Sequence, residues 1–207
     1  MKNEKVQYLV RLAFLIAIIL LLAYTPLGYL PIGPGLTVTI LTVPVAIGAI
    51  CMGPKAGSVL GFVFGLTSFL NAWQGKGGTT TVLFYLDPPL SILGVFLLCV
   101  GTRVLVGFLC GLIYKSLNKI GKQKHGGSVV KIALSSVSAP ILNTILFLST
   151  MLLLFSNQPT FAHITSFGAA WVYIWGVFVS NGILEAVTCG IIATAVSKAL
   201  LVFLKKQ

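Results

Sequence analysis

Two charged side chains and two amides interrupt long apolar segments of this sequence: Arg103, Glu185, Asn143 and Asn181. Burying an isolated charge is costly unless it is paired or hydrogen-bonded, and buried amides also need partners. Arg103 and Glu185 are therefore candidate ligand-binding residues, with a mutual structural ion pair as the alternative. For the two asparagines, ligand contact and hydrogen bonding between helices are both open.

A second group of candidates follows Asn71, in a polar, glycine-containing segment with Trp73, Tyr85 and Asp87. Small-molecule pockets combine aromatic walls with a few polar groups, so this segment is a candidate lid over a binding pocket. Aromatic residues also form belts at membrane interfaces, which is the competing interpretation of Trp73 and Tyr85.

Sequence motifs of enzymes are missing: there is no HExxH, no GxSxG and no GxxxxGK[ST] phosphate loop. We expect no catalytic residues, no cofactor and no metal site. The four cysteines lie in apolar runs without a CxxC motif, and we expect them to be small packing residues: Cys51, Cys99, Cys110 and Cys189.

The composition restricts the class of fold that can position these residues. Apolar residues make up 57% of the 207 positions and charged residues only 8%, whereas about a quarter of a soluble domain is charged. A water-soluble globule is excluded, and the apolar content suffices for about six membrane-spanning helices. We predict an all-α membrane protein with one transmembrane domain, residues 1–207.

Proline- and glycine-rich segments divide the chain into apolar runs. The predicted spans are 8–24, 36–52, 57–71, 91–117, 129–155 and 170–204; the outer loops are 25–35, 72–90 and 156–169, and the cytoplasmic loop is 118–128. The last run is longer than a bilayer requires, so its part near 171–180 is expected to be a loop, an interfacial helix or strongly tilted.

The charge balance orients these spans. Of the fourteen Lys and Arg residues, twelve lie on the side of both chain ends, and the net charge is +11. Lys and Arg are enriched in cytoplasmic loops, so both termini are predicted to be cytoplasmic, in a multi-pass protein of the cell membrane. This asymmetry explains the positive charge without a nucleic-acid partner.

Small residues recur at helical spacing in two spans. Ala13 and Ala17 lie four residues apart, and Gly57, Gly61 and Gly65 continue the pattern in the third span. Such strips permit close helix approach in a bilayer. Packing inside the bundle is the simplest interpretation of both, and contact with a partner helix is the alternative for the alanines.

The combination of these segments resembles a known family. The block VPVAIGAICMGPKAG at 43–57 runs on through GFVFGLTS at 61–68, with RVLVG at 103–107, Asn143-Thr144 and NGILEA at 181–186. Together they resemble the S components, the substrate-binding membrane subunits of energy-coupling factor (ECF) vitamin transporters, over essentially the whole chain.

The resemblance implies six helices with cytoplasmic termini, and a subunit that binds a vitamin with high affinity but has no ATPase of its own. The partners it implies are one transmembrane coupling subunit and two ATP-binding-cassette ATPases. It assigns Ala13 and Ala17 to contact with the coupling subunit, and the first outer loop, with Pro31, Gly33 and Gly35, to gating of the site.

Within the family, the sequence is most similar to pantothenate S components. Arg103 could hold the carboxylate of pantothenate through two hydrogen bonds, whereas neutral pyridoxine or hydroxymethylpyrimidine, the alternative substrates, would favour Glu185. An autonomous secondary transporter is the alternative from another class, but it would need a coupling-ion pathway and often internal repeats, and neither is seen in the sequence.

Overall fold

The computed structural model of the chain is largely helical and describes residues 2–33, 36–76, 79–85, 90–119, 128–156, 167–177, 179 and 182–204. The helices in these ranges are α1 (Lys2–Ala23), α2 (Thr42–Met52), α3 (Pro54–Trp73), α4 (Thr79–Tyr85), α5 (Leu90–Phe96), α6 (Thr102–Lys119), α7 (Val129–Phe155), α8 (Phe167–Val177) and α9 (Ile183–Leu204). The strands are β1 (Tyr29–Gly33) and β2 (Leu36–Thr39).

Five stretches of the described chain are long and apolar enough to cross a membrane: α1, α3, the α5–α6 stretch, α7 and α9. The shorter α2 is also apolar, with 11 residues. The predicted helical membrane architecture is therefore confirmed, and the described chain has five long candidate spans and the short α2 where six spans were predicted.

One short two-stranded sheet interrupts the helical fold, between α1 and α2. The strands β1 and β2 pair there as an antiparallel hairpin, with Tyr29 opposite Thr39. The sequence had predicted a loop at 25–35 and a helix from residue 36, but α2 begins only at Thr42. Threonines at every second position fit a strand, in which successive side chains alternate between two faces.

Other boundaries also differ from the predicted ones. The segment 72–90, predicted as an outer loop, contains the end of α3 and the short helix α4. The long last run is divided into α8 and α9, in agreement with the expectation that it could not be one continuous span. The predicted loops 118–128 and 156–169 lie mostly outside the described residues.

The closest helix contact joins α3 to α6. A Cβ atom on Gly57 would overlap the carbonyl of Gly107, and one on Gly61 would overlap the carbonyl of Arg103. Gly65 lies equally close to the backbone one turn further along. The predicted packing of these glycines inside the bundle is confirmed, and it fixes the backbone of Arg103 against α3.

Helices α6, α7 and α9 are joined by thiol hydrogen bonds. Pro140 has no N–H, so the Ser136 carbonyl four residues earlier loses its usual helical partner. The Cys189 thiol of α9 donates to that carbonyl at 3.4 Å, and the Cys110 thiol of α6 donates to the Ser135 carbonyl at 3.2 Å. All four cysteines are free, as expected for packing residues.

The contact between α3 and α6 is tested by Gly61→Ala. We expect it to lower the free energy of unfolding by about 1–3 kcal/mol, the usual cost of overpacking, because the new methyl group meets backbone that cannot rotate away. The measurement is denaturant or thermal unfolding of the purified protein in detergent micelles.

Gly101→Ala is the matched control, because a Cβ atom there meets only Leu97 Cγ at 3.7 Å. Alanine has the higher helix propensity, so this variant should be as stable as the wild type or slightly more stable. Equal losses of stability at the two positions would contradict the close contact.

Candidate functional site

Arg103 lies near the start of α6, and its guanidinium contacts two aromatic rings. The guanidinium carbon is 4.7 Å from the ring centroid of Phe64 on α3 and 5.0 Å from that of Phe147 on α7. Only 9% of the residue is exposed, and Nη1 donates a hydrogen bond of 3.1 Å to the Cys99 carbonyl. Cation–π contacts of this kind stabilise a buried cation and fix the plane of the guanidinium.

The backbone before Arg103 is irregular and determines where the side chain points. A π-helical turn, Leu97–Gly101, joins α5 to α6. Single π turns inside longer helices occur frequently at functional sites. The Thr102 hydroxyl donates to the Leu98 carbonyl within this turn. Together with the Gly61 contact, these bonds hold Arg103 at a defined position between three helices.

Among the described residues, the buried polar atoms without a hydrogen-bond partner include Arg103 Nε, which is a donor on α6, and Asn143 Oδ1, which is an acceptor on α7. Asn143 lies one turn before Phe147 on α7, so both side chains are on the face turned toward Arg103. Unpaired buried polar groups are costly and rare. A donor and an acceptor left free in this way suit an anionic ligand that also has hydroxyl or amide groups.

Helix α3 contributes one face to the same region. Phe64, Ser68 and Asn71 are spaced four and three residues apart, which aligns them on that face, and all three are buried. The Ser68 hydroxyl shares a hydrogen bond of 3.2 Å with the Tyr29 hydroxyl of β1. The hairpin therefore contacts the helix face that holds Phe64 against Arg103.

Glu185 is not the ion-pair partner of Arg103. Its Oε1 accepts a hydrogen bond of 2.7 Å from the backbone N–H of Thr39, and the residue is 6% exposed. The two charges predicted from the sequence thus lie in one region but have separate partners.

Trp73 and Tyr85 are not part of this cluster. Each is 59% exposed, and the Tyr85 hydroxyl donates to the Trp73 carbonyl at 2.8 Å, which joins α4 to the end of α3. The ring of Phe84 packs on Phe69 at a centroid distance of 5.7 Å and anchors α4. These two candidates therefore form an exposed surface beside the cluster.

Three candidates, Asn181, Asp87 and Gly35, lie outside the described residues. Pro31 and Gly33 are within β1, where the strand register shifts between them. Their predicted gating role thus falls on a hairpin with an irregular pairing near its tip, and that role stays a prediction.

Four residues with contacts in this region were not candidates in the sequence: Phe64, Phe147, Tyr29 and Thr39. The chain has 13 phenylalanines in mostly apolar surroundings, so a phenylalanine gives no signal of its own. Thr39 takes part through its backbone N–H, which every residue except proline has. Only their proximity in the fold identifies them.

The small residues of α1 lie on a different surface. Ala13 and Ala17 are exposed, whereas Leu15 and Ile19 of the same helix are buried in the core. Packing of the alanine pair inside the bundle, the simplest interpretation of the sequence, is therefore wrong. The pair instead forms a small-residue strip on the outer surface of the chain.

Comparison with known proteins identifies the family of the chain. Residues 7–197 match the family described as ECF transporter, substrate-specific component. The chain is 30% identical to the pantothenate transporter PanT of Leuconostoc mesenteroides, with 97% of this chain and 95% of that protein covered. It is 27% identical to the pantothenic acid transporter PanT of Lactococcus lactis, with 97% and 96% covered. The chain therefore belongs to the family of ECF transporter substrate-specific components, and it is a multi-pass protein of the cell membrane that binds the substrate in vitamin uptake.

Proposed function

We propose that this chain is the high-affinity pantothenate-binding subunit of an ATP-driven ECF importer. The observation that supports this most directly is the buried Arg103 guanidinium, whose Nε has no partner. Pantothenate is an anion, and a carboxylate that accepts from Nε would satisfy this donor and neutralise the charge. The names of the two relatives agree with an anionic vitamin.

The contacts of Arg103 favour a carboxylate ligand. The guanidinium carbon lies over the rings of Phe64 and Phe147, and the N–H donors are at the edge of the guanidinium plane. Nη1 is already bound to the Cys99 carbonyl, which leaves the edge with Nε for the ligand. An arginine held in this way presents a pre-oriented donor set.

The neutral groups of pantothenate need further partners. It has an amide and two hydroxyl groups, and the free Asn143 Oδ1 would accept from one of them. The buried Ser68 and Asn71 on α3 provide polar groups along the same face. Asn181 and Asp87 remain candidates from the sequence for the same site.

Uptake requires an energy source outside this chain. We propose that a transmembrane coupling subunit and two ATP-binding-cassette ATPases provide it, with Ala13 and Ala17 as the contact with the coupling subunit. Both alanines are exposed on α1, and small residues allow a partner helix to approach closely in a bilayer. Both termini are proposed to be cytoplasmic, in keeping with the positive-inside distribution of lysine.

The substrate is tested by isothermal titration of the purified protein with pantothenate, pyridoxine and hydroxymethylpyrimidine. We expect pantothenate to bind at least about tenfold more tightly than the neutral vitamins, because only it pairs with Arg103. Tighter binding of a neutral vitamin would reject the assignment. Counterflow of pantothenate by the isolated protein in liposomes would instead support an autonomous secondary transporter.

The role of Arg103 is tested by Arg103→Gln. We expect the affinity for pantothenate to fall by about 1.5–3 kcal/mol, the range for a charged hydrogen bond. Panthenol has an alcohol in place of the carboxylate, so its affinity should change much less. Lys115→Gln removes an exposed charge from the same helix and serves as the control. Equal losses for pantothenate and panthenol would show that Arg103 does not bind the carboxylate.

The alanine strip is tested by Ala13→Trp and Ala17→Trp. Both should keep pantothenate binding, because the side chains face away from the core, but uptake with the partner subunits should fall to background. Leu153→Trp, at a position on α7 that is 82% exposed, is the control and should support normal uptake. Normal uptake by the alanine variants would remove this strip from the coupling interface.

A further inference from the structure

The carboxylate of Glu185 is bound to the base of the hairpin. Oε1 accepts from the Thr39 N–H at 2.7 Å, and Glu185 lies in the first turn of α9. Thr39 ends β2 and is paired with Tyr29, the first residue of β1. The bond therefore links α9 to the base of the hairpin, where the chain leaves and re-enters the helical bundle.

The geometry of the hairpin explains why this N–H is free to bind a carboxylate. In an antiparallel pair, the N–H groups of one strand point alternately toward and away from the partner strand. The neighbouring Ile40 N–H points inward and donates to the Gly28 carbonyl at 3.1 Å. The Thr39 N–H points outward, and Oε1 of Glu185 accepts from it.

A second hydrogen bond holds β1 at the same end of the hairpin. The Tyr29 hydroxyl is hydrogen-bonded to Ser68 on α3 at 3.2 Å. Since Tyr29 and Thr39 face each other, the hairpin is attached through a single residue pair to α3 on one side and to α9 on the other. Ser68 lies one turn from Phe64, which covers Arg103. The hairpin base thus lies beside the proposed ligand-binding arginine.

We propose that Glu185 is a positioning residue that fastens the hairpin beside the Arg103 site, and so controls how long a bound ligand stays rather than contacting it. We call the Glu185–Thr39 hydrogen bond the hairpin latch. The proposal rests on the proposed function, in that it assumes a ligand at Arg103. It assigns Glu185 a role other than the ligand contact that was predicted from the sequence.

The latch is tested by stopped-flow measurement of the association and dissociation of pantothenate. Glu185→Leu removes the acceptor, and Thr39→Pro removes the donor while keeping the glutamate. Each variant should raise the dissociation rate constant about tenfold and change the association rate constant less than about twofold. Glu185→Gln keeps an acceptor oxygen and should show an intermediate effect, which separates the latch from a general loss of folding.

Thr39→Val is the matched control, because it changes the side chain and keeps the N–H. Its dissociation rate constant should stay within about twofold of the wild type. An effect of Glu185→Leu without an effect of Thr39→Pro would mean that Glu185 contacts the ligand, and this would overturn the latch. Equal effects of Thr39→Val and Thr39→Pro would also overturn it, since the N–H would not be the donor.

The latch can also be measured without any ligand. Amide hydrogen exchange over 29–40 should be faster in Glu185→Leu and Thr39→Pro than in the wild type, and unchanged in Thr39→Val. If the wild type fails to bind pantothenate but exchange responds in this way, the proposed function fails and the latch stands. Unchanged exchange and unchanged dissociation in a protein that binds pantothenate would reject the latch alone.

Discussion

The site depends on the direct backbone contact between α3 and α6. Glycines at Gly57, Gly61 and Gly107 leave no side chain between the helices, so carbonyl groups of one helix lie where a Cβ atom of the other would be. Lipid chains are as apolar as leucine, and close approach of this kind is a main source of helix association in bilayers. The same contact places the Arg103 backbone beside α3, and from there its side chain reaches Phe64.

Once α6 is fixed, the chain must accommodate a buried cation and a buried carboxylate without pairing them. A buried ion pair recovers its desolvation cost only with good geometry and further hydrogen bonds. Here Arg103 is stabilised by two rings and a carbonyl, and Glu185 by a backbone N–H. Because Arg103 and Glu185 do not pair with each other, the arginine keeps a free donor and the glutamate is available to hold the hairpin.

Sequence reasoning found the residues that differ most from their surroundings. Arg103, Asn143 and Glu185 stand out because polar groups in apolar runs are unusual, and the glycine spacing of α3 identified the face that packs on α6. These predictions depend only on residue type and helical period. They require no knowledge of how distant segments meet.

The parts that were missed depend on distant contacts or on backbone groups. The hairpin falls partly in the proline- and glycine-rich loop predicted at 25–35 and partly in the span predicted to begin at residue 36. The Glu185–Thr39 bond joins residues 146 positions apart, and its donor has no sequence signature. Phe64 and Phe147 become recognisable only when α3, α6 and α7 are brought together.

One short turn connects α1 to the hairpin. A 3-10 turn, Pro26–Gly28, joins α1 to β1, and a Cβ atom on Gly28 would overlap the Leu22 carbonyl at the end of α1. The Gly28 carbonyl in turn accepts from Ile40, directly after β2. The turn therefore packs directly against both the last helical residues of α1 and the hairpin base. Both ends of the hairpin therefore meet at Gly28, which packs against the end of the helix whose exposed face holds Ala13 and Ala17.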